Sequence, residues 1–103
     1  MALSQQDKKR FRHIGHHLKP VLIAGDKGLT DTFLAELDGR LEDHELIKVK
    51  VHTGTRDQRA ELIARLCASA GAELVQSIGN IALVYRAAAK PDPKLSNILR
   101  ANA

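Results

Sequence analysis

The chain has 103 residues, 44% of them hydrophobic and 27% charged, with a formal net charge of +4. That size admits one domain with a single core and not two, and no apolar run approaches the roughly 20 residues that cross a bilayer. The opening residues Met1 to Gln6 lack the basic-then-apolar order of a secretory signal, and the one cysteine, Cys67, fits a reducing, cytoplasmic setting.

Ser4 followed by Asp7 resembles a capping box with Asp in place of Glu, and Phe11, Ile14 and Leu18 recur at helical spacing. These signals predict a first helix over Gln5–His17, stopped by Pro20, whose remaining faces carry a basic cluster. Val21–Ala24 reads as a short buried strand. It runs directly into Gly25-Asp26-Lys27-Gly28, a GxxG turn. Glycines at both ends let the backbone bend tightly and approach another surface without a Cβ in the way. The helix start that follows offers unpaired N–H groups and a partial positive charge, and Lys27 adds a point charge suited to phosphate. Two glycines three apart are common. The weight of this pair comes from its place between strand and helix.

Thr30 is the predicted N-cap of a second helix over Asp31–Asp43, with Leu29 stapled onto Leu34 and a stripe of Phe33, Leu34, Leu37 and Leu41. The acids Glu36, Asp38, Glu42, Asp43 and Glu45 read as its solvated side. Leu46–His52 alternates, with Ile47, Val49 and Val51 on one face and Lys48, Lys50 and His52 on the other. This predicts a half-buried strand whose basic face looks outward while helices cover the opposite face.

Thr53-Gly54-Thr55 is a loop before a third helix over Arg56–Ala70, whose stripe contains Leu62, Ile63, Leu66, Cys67 and Ala70 and whose cap is Gly71. Leu74–Ile78 and Ile81–Tyr85 form a hairpin across Gly79-Asn80. Residues 87–103, with Pro91 and Pro93, read as a tail after a domain over 1–86, although Leu95, Ile98 and Leu99 suit a docked turn of helix. The order α-β-α-β-α-β-β predicts an α/β fold: a mixed four-stranded sheet packed by helices, with right-handed crossovers.

Charge is unevenly placed. Lys8, Lys9, Arg10, Arg12, Lys19 and Lys27, with His13, His16 and His17, face only Asp26 within their span, whereas the second helix is acidic. A polyanion is drawn to one side and repelled from the other. Solvated helix faces of opposite sign explain the same pattern without a ligand.

Other chemistries find little support. His13 and His17 have i,i+4 spacing, but no third metal ligand accompanies them and the neighbourhood is basic. The loop lacks the spacing and the Lys-Ser/Thr pair of a Walker A sequence. Cys67 sits in an apolar stripe, where a thiol is inert. Phe11 and Phe33 lie on core stripes and Tyr85 ends a strand. Few platforms remain for stacking bases, so recognition is expected to rest on phosphates and shape.

Four runs resemble the YhbY family, the single-domain bacterial form of the CRM domain (chloroplast RNA splicing and ribosome maturation). They are Leu18-Lys19-Pro20-Val21, Gly25 to Thr30, His44 to Lys50, and Gln76 to Gly79 leading to Val84-Tyr85-Arg86. The likeness extends from about Leu3 to Arg86. It implies a fold akin to the C-terminal domain of translation initiation factor 3, and RNA binding through the GxxG loop and adjacent basic surface. For bacterial members it implies association with large-subunit ribosomal precursors. The expected contacts are therefore Gly25, Asp26, Lys27 and Gly28, joined by Lys8, Lys9, Arg12, His13, His16, Lys19, Lys48 and Lys50. No catalytic residue, metal, cofactor, small-molecule substrate or membrane is expected, and the oligomeric state is left open. Asn80 stands where family members often carry a basic residue. The competing reading is an adaptor that docks on ribosomal proteins or assembly factors through the acidic second helix.

Overall fold

Helix α1 (Gln5–Gly15) begins where Ser4 Oγ accepts the Asp7 N–H at 3.0 Å. The chain is seen here as a computed structural model that describes residues 3–101, so positions 1, 2, 102 and 103 of the expected 1–86 and 87–103 segments lie outside the described residues. The helix stops two residues earlier than its apolar spacing predicts, and Pro20 is not what stops it. Short i→i+3 bonds, His17 N–H to Ile14 O at 3.2 Å and Leu18 N–H to Gly15 O at 3.0 Å, tighten the chain out of the helix. Gly15 lies flat on the sheet, where an added Cβ would meet Leu83 Cδ2 at 2.6 Å.

Strand β1 (Pro20–Ala24) pairs in parallel with β2 (Leu46–Val51). Between them α2 (Asp31–His44) starts on a Thr30 cap that accepts the Phe33 N–H at 3.0 Å. Helix α3 (Arg56–Ala70) has a full capping box between Thr55 and Gln58 and ends on left-handed Gly71. Strands β3 (Glu73–Ile78) and β4 (Ile81–Tyr85) form the expected hairpin, and the sheet order is β1-β2-β4-β3. The fold is thus the expected mixed four-stranded sheet, with a short α4 (Asn97–Ala101) added after it.

Two expectations about burial are corrected. The β1 run is not a buried strand, because β1 is an edge strand: Leu22 and Ala24 are buried while Val21 and Ile23 are exposed. Nor is the lysine face of β2 simply open. Helices α2 and α3 pack Phe33, Leu37, Leu41, Leu62, Ile63 and Leu66 against Ile47, Val49, Val51 and Val84 on one face. Helices α1 and α4 bring Phe11 and Ile98 onto Leu46, Val75 and Leu83 on the other. Leu46 and Lys48 share that second face, so half of it is core and half is accessible.

The acids of α2 are also not all a solvated side. Glu45 is 5% exposed and holds a positive φ of 62°. A non-glycine residue takes that conformation only where its surroundings over-determine it. Here its carbonyl accepts the Arg86 N–H at 2.9 Å. Its carboxylate accepts the Ser96 hydroxyl at 2.6 Å and the Ala88 N–H at 2.9 Å. Glu42 accepts the Ala89 and Lys90 N–H groups, and Arg86 donates to the Asp38 carboxylate at 2.7 Å and the Ala70 carbonyl at 3.1 Å. His44 Nδ1–H donates to the Leu95 carbonyl at 2.9 Å, and Asn97 Nδ2 to Leu46 O at 2.7 Å. The segment after Arg86 is therefore strapped across the end of α2 and the start of β2, with Ile98 buried and Leu95 and Leu99 exposed.

Gly15→Ala is expected to cost about 1–3 kcal/mol in urea denaturation, since an added Cβ would force the Leu83 side chain off its seat on the sheet. Gly39→Ala, in open space in mid-α2, is expected to gain about 0.5–1 kcal/mol. Ser96→Ala removes a hydrogen bond from a buried carboxylate, and the same assay should show a loss of about 1–3 kcal/mol.

Candidate functional site

The Gly25–Gly28 turn is built by the strand before it and the helix after it. The His52 N–H bonds Ala24 O at 2.8 Å, fixing the end of β1 against the end of β2. The Gly28 N–H then bonds Gly25 O at 2.9 Å, closing a four-residue turn with Asp26 and Lys27 at its exposed corners. Gly28 has φ +68°, which explains its glycine from within. Gly25 is different. Its φ is not in the left-handed range and nothing lies within 4 Å of an added Cβ, so the protein's own packing gives no reason for a glycine there.

The turn is seated against α3. The nearest side-chain atom to a Cβ on Gly28 is Leu62 Cδ1, at 4.0 Å. One turn earlier on α3, Arg59 donates from Nη1 to Gly54 O at 3.1 Å, and exposed Arg56 precedes it. Arg59 was missed by the sequence reading. Its only signal was a position one helical turn before a core leucine, which does not reveal that the third helix begins beside the glycine turn.

The remaining candidates divide into groups. Lys50 is the register partner of Ile23, two residues before Gly25, which places it within about 10 Å of the turn. Lys48 lines a hollow with Arg12 and His16, floored by Gly15, Gln76, Ile78, Ile81 and Leu83. This hollow opens where α1 ends on the sheet, so Arg12, His16, Lys48 and Lys50 lead from α1 toward the turn. Lys9 and His13 point the other way, into a groove between α1 and α4 that also holds Arg10, His17 and Arg100. Lys8 is half-buried, and Lys19 is exposed at the start of β1. One basic cluster in the sequence is thus two surfaces in space, split by the ridge of α1.

The histidines do not form a helical pair. The helix ends before His17, and the His13 and His17 rings meet edge to face at 6.0 Å. Among the described residues no group of three His, Cys, Asp or Glu is placed to hold a metal ion, and no helix is long and apolar enough to cross a membrane. Cys67 is buried, as its stripe position predicts, and burial pushes its thiol above the ordinary value of 9.0. Tyr85 stacks on Phe11 with ring centroids 4.6 Å apart. Burial first, and then the negative charges of Glu45 and Asp7, raise its phenol above 10.0.

The model of the CRS1 / YhbY (CRM) domain matches residues 3–86. The chain is 58% identical over 100 residues to a probable RNA-binding protein of Pseudomonas aeruginosa, covering 97% of this chain and 96% of that one. That span takes in much of the segment beyond Arg86. An RNA-binding protein of Haemophilus influenzae is 40% identical over 85 residues, covering 82% of this chain and 86% of its own length. The solution structure of a hypothetical Staphylococcus aureus protein, proposed there to bind RNA, is 31% identical with a TM-score of 0.76, covering 86% of this chain and 93% of that one.

Both raised acids are held neutral by the fold. Their stabilising effect is complete below pH 9 and is lost as pH rises through the raised folded values. The thermal midpoint should therefore decline above about pH 9, and Cys67 should react with a thiol reagent far more slowly in native than in urea-unfolded protein.

Proposed function

The chain belongs to the CRS1 / YhbY (CRM) domain family, and on that premise we propose that it is a non-enzymatic RNA-binding protein that grips the sugar–phosphate backbone with its Gly25–Gly28 turn. The observation that carries this reading is Gly25. It is a glycine with an ordinary backbone and empty space beside it, next to an exposed lysine. A missing Cβ leaves room for close approach by an external strand, and here, unlike at Gly39 in mid-α2, an exposed lysine and a helix start stand beside it.

The surroundings support the same reading. Lys27 and Lys50 supply charge at the turn, and Arg12, His16 and Lys48 extend it along the sheet. The acids of α2 lie in the opposite layer, where Asp38, Glu42 and Glu45 are engaged with Arg86 and the segment after it. Glu36 and Asp43 stay exposed on α2, so the adaptor reading keeps a smaller acidic face than the sequence suggests. Phosphate contacts position an RNA without reading its sequence, so affinity should vary little between sequences and steeply with salt. The names borne by relatives, RNA-binding proteins, agree with this class of ligand. The resemblance read from the sequence extends the proposal to ribosomal RNA of the large-subunit precursor, bound in the cytoplasm during assembly. Crosslinking in cells followed by sequencing of the attached RNA tests that extension, and reads distributed without enrichment on ribosomal RNA refute it.

Lys27→Ala should weaken binding to unrelated RNAs alike and flatten the dependence of log affinity on log salt by about one unit. Gly25→Leu should leave the thermal midpoint unchanged and reduce RNA affinity about tenfold or more by blocking the approach. Unaltered affinity in a folded Gly25→Leu protein would rule out the backbone grip.

A further inference from the structure

Ile23 and Ile78, two exposed aliphatic side chains of the sheet, serve neither the core nor the phosphate grip. On the face shared with α1, beyond the point where that helix ends, the register aligns Ile23 with Lys50, Lys50 with Ile81, and Ile81 with Ile78. This row crosses all four strands, a span of about 14 Å at ordinary strand spacing. Ile23 is 64% exposed and Ile78 65%, so both side chains stand largely in solvent. Val21 continues the apolar surface along β1 at 40%. Isolated exposed aliphatics are ordinary; here exposed Ile23 and Ile78 end a row across the sheet that holds Lys50 and half-buried Ile81 between them, and such a mixed row suits a binding surface.

We propose that this aliphatic row receives unpaired nucleobases of the RNA strand whose phosphates lie on the Gly25–Gly28 turn, an assignment that rests on the RNA-binding reading above. The occupant follows from the chemistry around the row. Lys50 interrupts it, and Lys48, Arg12 and His16 line the hollow that opens from its Ile78–Ile81 end. On this face Glu73, the register partner of Tyr85, stands at the far end of the sheet with its carboxylate accepting the Leu3 N–H at 2.8 Å. The partner therefore combines flat apolar faces with negative charge at short, regular intervals. A single-stranded nucleic acid has both, with its bases on one side of a charged backbone. The turn begins two residues after Ile23, so a strand held there by its phosphates passes beside the row, within reach of its bases. Phe11 and Tyr85 are occupied with each other. Aliphatic side chains take the place that aromatic platforms fill in other single-strand binders.

The row adds to the phosphate grip a preference for unpaired segments over regular duplex. It is tested with two labelled probes of about 12 nucleotides, one a mixed-sequence single-stranded RNA and the other an abasic strand with the same phosphates. By fluorescence anisotropy the wild-type chain should bind the base-bearing strand about tenfold more tightly, the scale expected from covering two isoleucines. The double variant Ile23→Gln, Ile78→Gln should bring the base-bearing strand down to the abasic level, with abasic affinity and salt slope unchanged. Lys27→Ala should lower both affinities together and preserve their ratio.

Equal binding of the two strands by wild type, or a preference that survives in the double variant, overturns the assignment while leaving the phosphate grip intact. A wild-type chain that binds neither strand overturns both. Self-association in sedimentation that the double variant abolishes, with base preference unaffected, gives the row to a second copy of the chain and overturns it as well. Both side chains are largely exposed, so the melting curve should not move. If it does, Ile78→Gln alone is read in the same way, with half the effect on a logarithmic scale.

Discussion

The parallel pairing of β1 with β2 is the constraint from which the rest of the site follows. Parallel neighbours cannot be joined by a tight turn. The chain must leave the end of β1, cross over as α2 and return to the same starting edge. The carboxyl end of a strand and the amino end of a helix are thereby forced together across a few residues, which is where open sheets of this kind accept ligands. The Gly25–Gly28 turn is that junction. Its position is held by the His52–Ala24 hydrogen bond and by Leu62 beneath Gly28. The turn is exposed because topology places it at the rim, and it is shaped because its neighbours leave it one route.

How much of this was legible in the sequence depended on whether the cause was local. Helix α3 and strand β4 matched their predicted limits, because a Thr-Gly-Thr loop, a capping box, a C-terminal glycine and a Gly-Asn turn are all encoded within a few residues. The seat of α1 on the sheet was not legible, because Gly15 meets Leu83, 68 positions away. Nor was the exposure of Ile23. A four-residue apolar run reads alike in a central strand and in an edge strand, and only the pairing order separates them. The glycine turn was visible from the start, but the division of the basic residues by α1 was not, since helical spacing says which residues share a face and not what that face meets.

Glu45 shows the same limit in a single side chain. Among five acids near one helix it looked like another solvated carboxylate. Its role depends on Ala88 and Ser96, which lie 43 and 51 residues further along. A buried carboxylate survives only when its lone pairs are occupied, and here a hydroxyl and a backbone amide occupy them. Arg86 works alongside it, tying α2 to the carboxyl end of α3 through Asp38 and Ala70. With Asp38 still 70% exposed, the ion pair itself contributes little. The hydrogen bonds to main-chain carbonyls matter more. Thus the run Val84-Tyr85-Arg86, which carried part of the family resemblance, has a part in the architecture.

The two outer strands share an irregularity whose consequence concerns company rather than ligand. In β1 the pairing slips between Pro20 and Leu22, and in β3 between Leu74 and Gln76. Each slip twists the free border of the sheet, and Pro20 also removes a donor there. A neighbouring molecule that approached edge-on would find no straight ladder to extend. The chain can therefore leave isoleucines uncovered on its broad side without inviting fibre growth from its rims.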